Sequence, residues 1–505
     1  MSPEVRAFVG DSIPPEPAKP KRPARRKKSP ALATAPSLET ADDAAEAAAD
    51  RVGEPTAPAE PTALPETEPA AELQPEPEPK PAPEPTPEPA TEPEPAPTPA
   101  AEPAKPHVLI IGGGGTGGAL AHDLTLRGLR VTLVERGEVT SGATGRHQGL
   151  LHSGARYATT DRAAAIECIA ENKILRRIAP GSFEENDGLF VALTDEDADF
   201  ATGFFEACWQ CAVPTKRLDR EAALRMEPGL NPELRFAIQV PDATMDAMRM
   251  PLRFFATARR NGADIRPFTE VVALTTAGQT VTGVKVHDHA AGRDYEIGAD
   301  VVVNAAGPWA GLVAGLAGVQ VAVTPSPGAM VAVRGRHCNM VVNRLHAPGD
   351  GDIILPQRGL TIMGTSSWVA GDPDDPTIPA GHVETIMRGS AALLPALASA
   401  EIRATWSAAR PLAGLPPARR VGRVSRVGRA GAQPGRSQTR ELHCFDHAAD
   451  ATPTQGFVTI AGGNATTLRA MAEAAADVVC AKLGVGEPCR TGETVLLPHT
   501  AWYVP

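Results

Sequence analysis

The apolar run Val108-Leu-Ile-Ile111 leads straight into Gly112-Gly-Gly114-Gly-Thr-Gly117, a strand-like tetrapeptide that breaks into a glycine turn. Beyond the turn, Leu120 and Leu124 share one stripe, and Asp123 and Arg127 stand four apart, as a helical ion pair does. Gly128 supplies a stop, so the spacing predicts a helix over Thr116–Arg127. Val131-Thr-Leu-Val134 reads as a second strand, and Glu135 follows it, 23 positions after Gly112. Strand, turn, helix and strand form a βαβ unit, and the turn satisfies G-x-G-x-x-G in the context that gives that motif meaning. Gly112 permits the tight turn, Gly114 lets the backbone approach a pyrophosphate, and Gly117 lets helix and strand pack closely. The pyrophosphate would rest on the helix N-terminus, and Glu135 would accept from a ribose hydroxyl. The folded part is thereby committed to an α/β architecture that binds a dinucleotide.

Composition places the start of that folded part. Residues 1–106 hold 27 of the 51 prolines, none of the seven cysteines and one aromatic residue, Phe8. Their charge is 11 Lys+Arg against 20 Asp+Glu, or −9, out of −11 for the 505-residue chain. Such a segment cannot bury enough apolar surface to offset its ordering entropy, and it is expected to be a disordered arm. Its basic knot, Lys19–Lys28, is succeeded by an alanine-rich acidic patch and a Pro/Glu spacer of polyproline II character. Positions 107–505 carry 38 Lys+Arg against 40 Asp+Glu, which leaves no basic face for nucleic acid. Deleting residues 1–100 is therefore expected to leave thermal stability and cofactor content unchanged. A large fall in melting temperature would show the arm docked on the folded part.

The remaining chain alternates strand-like segments, Val271–Leu274, Val281–Val286, Val301–Val303, Met330–Val333, Ile353–Leu355, Thr361–Gly364 and Phe457–Ala461, with helical ones that end in Thr467–Leu483. Val301–Val323 imitates a membrane span, but Asn304, Gly307-Pro308 and Gln320 divide it into a buried strand, a turn and a helix. Cys208-Trp-Gln-Cys211 lies inside a helical pattern rather than opening a helix after a strand, which argues against a redox pair. Scattered cysteines and no apolar leader segment fit a reducing cytoplasm. No metal-ligating set is read from the sequence.

After Glu135 comes Ser141-Gly-Ala-Thr-Gly-Arg-His-Gln-Gly-Leu-Leu-His-Ser-Gly-Ala-Arg-Tyr157. A nicotinamide dehydrogenase would place a helix and a third strand there, whereas this polar, glycine-rich loop suits the wrapping of an isoalloxazine and its ribityl chain. With Asp187-Gly-Leu-Phe190, Val240-Pro-Asp-Ala-Thr-Met-Asp246, Val302–Trp309, Ile362–Ser367, Ala409–Leu412 and Phe457–Gly463, the sequence resembles the flavin-dependent glycerol-3-phosphate dehydrogenases, within the D-amino-acid-oxidase-like group. The similarity is greatest to the flavin-bearing A component of the anaerobic enzyme, and it runs from about 107 to about 485.

The resemblance implies a FAD-binding Rossmann-like domain built from about 107–190, 240–322 and 411–485. A second, mixed-sheet (α+β) substrate domain would come from about 191–239 and 323–410, with 486–505 as a C-terminal tail. It implies that Gly112, Gly114 and Gly117 hold the FAD pyrophosphate and Glu135 its ribose. Thr144, Gly149 and Leu150 would lie along the flavin, Ala306 and Gly307 would close on it, and Gly462 and Gly463 would bring a helix N-terminus to its C2=O end. His152, Arg156, Tyr157 and Arg410 would face the substrate, His152 as base or hydrogen-bond partner and the arginines as phosphate donors. Two departures stand out: Gly462-Gly463-Asn464 replaces the family's Gly-Gly-Lys, and Pro325-Ser-Pro-Gly328 its Pro-x-Lys-Gly. Each removes a cation, while Arg469 keeps one, and the arginine-rich insert Arg419–Arg440 reads as an exposed loop. With only Cys480 and Cys489 near the C-terminus, the cysteine-rich extension for an iron–sulfur cluster is not expected.

By this resemblance the reaction is oxidation of sn-glycerol 3-phosphate, a phosphorylated polyol, and the electrons pass to a quinone, a partner subunit or oxygen. The place would be the cytoplasm, with at most peripheral contact with the inner face of the membrane. Two other readings stay open at this point. One keeps the flavin and changes the substrate to a 2-hydroxy acid or amino acid. The other is a catalytically inactive flavoprotein that acts in assembly through its arm.

Overall fold

A computed structural model describes residues 105–375, 377–414 and 442–504. The expected disordered arm up to residue 104 and the insert Arg419–Arg440 lie outside the described residues. The elements that matter below are β1 (His107–Ile111), α1 (Gly115–Leu126), β2 (Arg130–Val134), α2 (Arg162–Ile178), β3 (Val301–Asn304), β4 (Val323–Arg334), β5 (Ile402–Ala413), β6 (Phe457–Gly462) and α3 (Leu468–Leu483). The βαβ unit read from the sequence is present, with both strand ends within two residues of expectation.

β1 lies inside a six-stranded sheet, in the order Leu442–Asp446, β6, β3, β1, β2, Asp264–Arg266. The pairings β6–β3–β1–β2 and β2 with Asp264–Arg266 are all parallel, and only Leu442–Asp446 runs antiparallel at the edge. Alternate side chains of β1 serve two cores, as the pleat requires. Val108 and Ile110 pack with Leu120 and Leu124 of α1, with Phe254 and Phe255 of the helix Arg249–Arg260, and with Ala475 and Val479 of α3. Leu109 and Ile111 face Val284, Val286 and Phe457, beneath a three-stranded antiparallel sheet of Thr269–Ala277, Thr280–Asp288 and Arg293–Gly298. A sheet covered on both faces needs near-continuous apolar strands, and these have them. The stretch Val301–Val323 divides as expected, into β3, a short turn at Gly307–Trp309 and a helix at Ala310–Gly315.

An eight-stranded mixed sheet carries the other half of the molecule, in the order β5, β4, Leu360–Gly364, Ile353–Gln357, Val341–Arg344, Gly188–Ala192, Phe236–Val240, Lys216–Asp219. Val341–Arg344 runs parallel to Gly188–Ala192, and the remaining neighbours are antiparallel. The register of the long β4–β5 pair sets Arg410 opposite Ser326.

Of the expected tail 486–505, the described residues 486–504 pack against the first half. Arg253 donates to the Leu496 carbonyl (2.8 Å), and the Arg259 guanidinium lies 3.6 Å over the Trp502 ring, which is 8% exposed. The segment's apolar residues, Val495–Leu497 and Trp502–Val504, form two short runs with no helical or strand period, so sequence alone does not reveal such a strap. The Cys208 and Cys211 thiols are buried at the end of the helix Asp195–Gln210, and burial pushes Cys208 up to about 12, which leaves it an inert thiol.

Two helices are joined by charge in the interior. Arg469 of α3 meets Glu171 of α2 at 2.5 Å, with side chains 7% and 3% exposed. Arg469→Met is expected to destabilise the protein by about 3–5 kcal/mol, because it strands a buried carboxylate. Arg469→Met with Glu171→Met should recover most of that loss in denaturant titrations; no recovery would mean that packing, not charge, sets the effect.

Candidate active site

The C-terminal ends of β1, β2, β3 and β6 open on one cavity of about 1440 Å³, closed on its other side by residues of β4, β5 and the segment 347–365. That volume exceeds the roughly 300–1,000 Å³ of an ordinary small-ligand site, and it leaves room for a dinucleotide and a substrate together. Ligands at strand C-termini where the chain order reverses are the rule in open α/β sheets, and β1 is such a point between β2 and β3.

At one end lies the glycine turn. Gly112 has a φ of 114°, and a β-carbon there would sit 2.6 Å from the Ala305 carbonyl oxygen. A β-carbon on Gly117 would run into the Gly112 carbonyl oxygen, so Gly117 packs α1 on β1 and does not itself line the cavity. Gly114 and Gly115 do line it, and the Gly115 N–H donates to Thr144 Oγ1 (3.0 Å), tying the following loop to the helix N-terminus. Glu135 accepts from the Gly113 and Gly137 N–H groups (2.7 and 2.9 Å), one bond per carboxylate oxygen. Each oxygen keeps a lone pair for a hydroxyl. Ala306, Gly307, Gly462 and Gly463 line the wall formed by β3 and β6, and Leu150 lines it from the loop. Gly149 stands behind the wall instead: with φ at 92°, its β-carbon would meet the Met245 carbonyl oxygen at 2.5 Å. Its role is to let the loop turn.

Over the mouth, the Arg136 guanidinium stacks 4.5 Å from the Trp309 ring, and Asp374 accepts from both Arg136 (2.5 Å) and Trp309 Nε1 (2.9 Å). The Arg136 bond holds the Asp374 carboxyl below the usual carboxylate range. These three residues clasp the two halves together beside Glu135.

At the other end the structure brings His152, Arg156, Tyr157 and Arg410 onto one cavity wall. His152 Nε2 and Tyr157 Oη are 3.3 Å apart. The backbone of His152 is held on both sides: its N–H donates to Thr466 Oγ1 (3.0 Å), and its carbonyl accepts from Asn172 Nδ2 (3.1 Å). The next N–H, of Ser153, donates to Asp242 Oδ1 (2.7 Å), a carboxyl whose pKa burial raises. Asn172, Asp242 and Thr466 are positioning residues to which sequence reasoning gave no role, although all three lie in stretches that match the family.

The two arginines differ. Arg410 donates from Nη2 to Thr365 Oγ1 (2.7 Å) and from Nη1 to the Ser326 carbonyl (3.2 Å). Arg156 forms a buried ion pair with Asp352 (2.7 Å; side chains 7% and 4% exposed) and also donates to the Gly349 carbonyl. Its charge is matched within the protein, against the expectation of a free phosphate donor. Arg469, expected to leave a cation nearby, is committed to Glu171 and Glu473 and does not line the cavity. Asn464 does line it, with Oδ1 accepting from Thr466 N–H (2.8 Å) and Nδ2 donating to Cys168 Sγ (3.3 Å). Among the described residues, no cluster of three or more His, Cys, Asp or Glu could hold a metal ion.

A bare glycine cradle at a helix N-terminus, an acid with lone pairs to spare and a long polar loop fit a flavin dinucleotide. The family model "DAO: FAD dependent oxidoreductase" matches residues 107–476. The chain is 39% identical over 391 residues to the A component of the anaerobic glycerol-3-phosphate dehydrogenase of Escherichia coli (strain K12), covering 77% of this chain and 69% of that protein. It is 41% identical over 401 residues to the A1 component of the anaerobic glycerol-3-phosphate dehydrogenase of Haloferax volcanii, covering 77% and 66%. The chain thus spans about two thirds of the length of these relatives. In fold it is similar to the glycerol-3-phosphate dehydrogenase of Bacillus halodurans complexed with FAD, at TM-score 0.59, 24% identity and 78% and 68% coverage. It is equally similar to the glycine oxidase of Geobacillus kaustophilus, at TM-score 0.59, 23% identity and 77% and 98% coverage. On sequence, fold and cradle alike, the chain belongs to the FAD dependent oxidoreductases.

Proposed function

We propose that this protein oxidises sn-glycerol 3-phosphate to dihydroxyacetone phosphate and passes the electrons to a respiratory quinone or a partner subunit. The observation that carries the proposal is the His152–Tyr157 pair, 3.3 Å apart, on the same cavity wall as Arg410. The relatives at 39–41% identity, components of anaerobic glycerol-3-phosphate dehydrogenases by name, favour this substrate over others.

The proposed cofactor residues are Gly112, Gly114, Glu135, Thr144, Leu150, Ala306, Gly307, Gly462 and Gly463, with Gly117 and Gly149 shaping the cradle from behind. The half of the chain built on the six-stranded sheet is the proposed FAD domain, and the half on the eight-stranded sheet the proposed substrate domain. When bound, FAD supplies the acceptor for the hydride that leaves the substrate's secondary carbon. His152 Nε2 takes the hydroxyl proton, and Tyr157 orients the imidazole and shares that proton. The bonds from Thr466, Asn172 and Asp242 keep this backbone fixed while the proton moves. Arg410 offers a planar fork of N–H donors to the phosphate, a geometry suited to bidentate recognition.

One observation favours a second reading, a 2-hydroxy acid or amino acid. Arg156 and Arg469 are already paired, and Asn464 stands where the family carries lysine, so this wall offers fewer free cations than the family pattern implies. Anaerobic mixing decides: sn-glycerol 3-phosphate should bleach the visible flavin band and glycerol should not. Bleaching by a hydroxy or amino acid but not by glycerol 3-phosphate would replace the substrate assignment. No helix among the described residues is long and apolar enough to cross a membrane.

A further inference from the structure

Between Thr144, tied to the pyrophosphate turn, and His152, on the substrate wall, the loop presents two side chains that nothing above uses. His147 and Gln148 both line the cavity. His147 Nδ1 accepts the Gly149 N–H (3.0 Å). A neutral imidazole that accepts at one nitrogen carries its proton on the other, so Nε2 is a donor. Burial pushes the pKa of this imidazole down to about 4, which keeps it neutral throughout the physiological range. Nε2 has no hydrogen-bond partner among the described residues. Gln148 is 9% exposed, and its Oε1 is buried with no hydrogen-bond partner. A buried amide oxygen without a donor is costly, and a native site retains one where a ligand supplies the donor. The loop therefore offers one fixed donor and one unsatisfied acceptor from adjacent residues.

We propose that His147 and Gln148 read the pyrimidine edge of the bound flavin, Gln148 Oε1 accepting from its N3–H and His147 donating to a neighbouring acceptor on the same edge. That edge alternates carbonyl and imine acceptors with a single N–H, so an adjacent donor and acceptor complement it. The adenine end of the dinucleotide does not fit this position. Glu135 marks the ribose side of the turn, whereas this loop leaves Thr144 for His152, on the substrate side. The pair fixes the plane of the ring relative to His152, so it positions the cofactor and takes no part in proton transfer. The inference rests on the cavity being the FAD site.

Flavin-free protein is titrated with FAD, N3-methyl-FAD and ADP, and visible spectra are recorded. Gln148→Met keeps the volume and removes the acceptor. His147→Asn retains an oxygen for the Gly149 N–H but is too short to reach the cavity. Each variant should bind FAD severalfold to about tenfold more weakly, shift the visible flavin bands and bind ADP as the wild type does. N3-methyl-FAD, which lacks the N–H, should bind wild type and Gln148→Met alike. Unchanged FAD affinity and spectra would overturn the assignment, and equal losses for FAD and ADP would move the pair to the adenosine end. Wild-type FAD affinity in Gly114→Val would instead overturn the cavity as the FAD site.

Discussion

Gly114→Val yields a folded, colourless protein. Gly114 caps α1 with φ −81° and ψ −177°, an extended conformation open to valine, so the backbone imposes no penalty. A β-carbon there would stand 3.2 Å from Thr144 Oγ1, the atom that accepts the Gly115 N–H. The added branches then fill the space over the helix N-terminus and push the loop away. Both effects fall on the proposed pyrophosphate site, where backbone N–H groups and the helix dipole favour an anion. The core is spared, because Thr144 Oγ1 is the one atom within 4 Å that an added β-carbon meets. The expected result is loss of essentially all flavin absorbance, with a circular dichroism spectrum like the wild type. Flavin content at the wild-type level would refute the role. Gly117 makes the contrast: its β-carbon would clash with the Gly112 carbonyl, so any substitution there should cost folding rather than colour.

The difference between those two glycines was legible in the motif, and so was most of the framework. β1, α1, β2, β3, β6 and α3 each carry a short-range signal, an apolar run of strand length or a stripe of helical period, and each formed where that signal lies. The halves of the site that depend on distant partners were not legible. Arg156 reads as a phosphate ligand until Asp352, 196 positions later, is seen to match its charge. Arg469 reads as a cavity cation until Glu171, 298 positions earlier, is seen to hold it. A sequence names the charged residues but not the pairs, because pairing is decided by which strands become neighbours across a sheet or a helix interface. For the same reason Asp242 and Thr466 received no role from the sequence: each acts through one backbone N–H near His152. His147 and Gln148 lay inside a loop assigned as a whole, and only burial and bonding separate them from its other members.

Arg410 is the proposed anion donor of the cavity wall that carries His152 and Tyr157, and its removal sets the largest expected kinetic effect. Arg410→Ala removes two charge-assisted donors, each worth roughly 1.5–3 kcal/mol when paired with an anion. If the pocket takes a phosphate, KM for sn-glycerol 3-phosphate should rise by at least about a hundredfold, with flavin content near the wild-type level. Some stability is also lost, since Thr365 and the Ser326 carbonyl each lose a donor. Arg410→Lys separates the two effects: a point charge retains part of the binding but not the fork, so KM should fall between those of wild type and alanine. Asn464→Lys supplies the opposite perturbation, returning a cation to the wall. It also removes Oδ1 from Thr466 N–H, close to the Thr466 hydroxyl that holds His152, so a gain in affinity would have to outweigh a looser base. A lower KM with a reduced kcat is therefore the expected signature of a phosphate pocket. If Asn464→Lys raises KM, and Arg410→Ala leaves glycerol 3-phosphate turnover unchanged while abolishing turnover of a carboxylate substrate, the cavity is built for a hydroxy or amino acid. Arg410 would then be reading a carboxylate, the other oxyanion its planar fork fits.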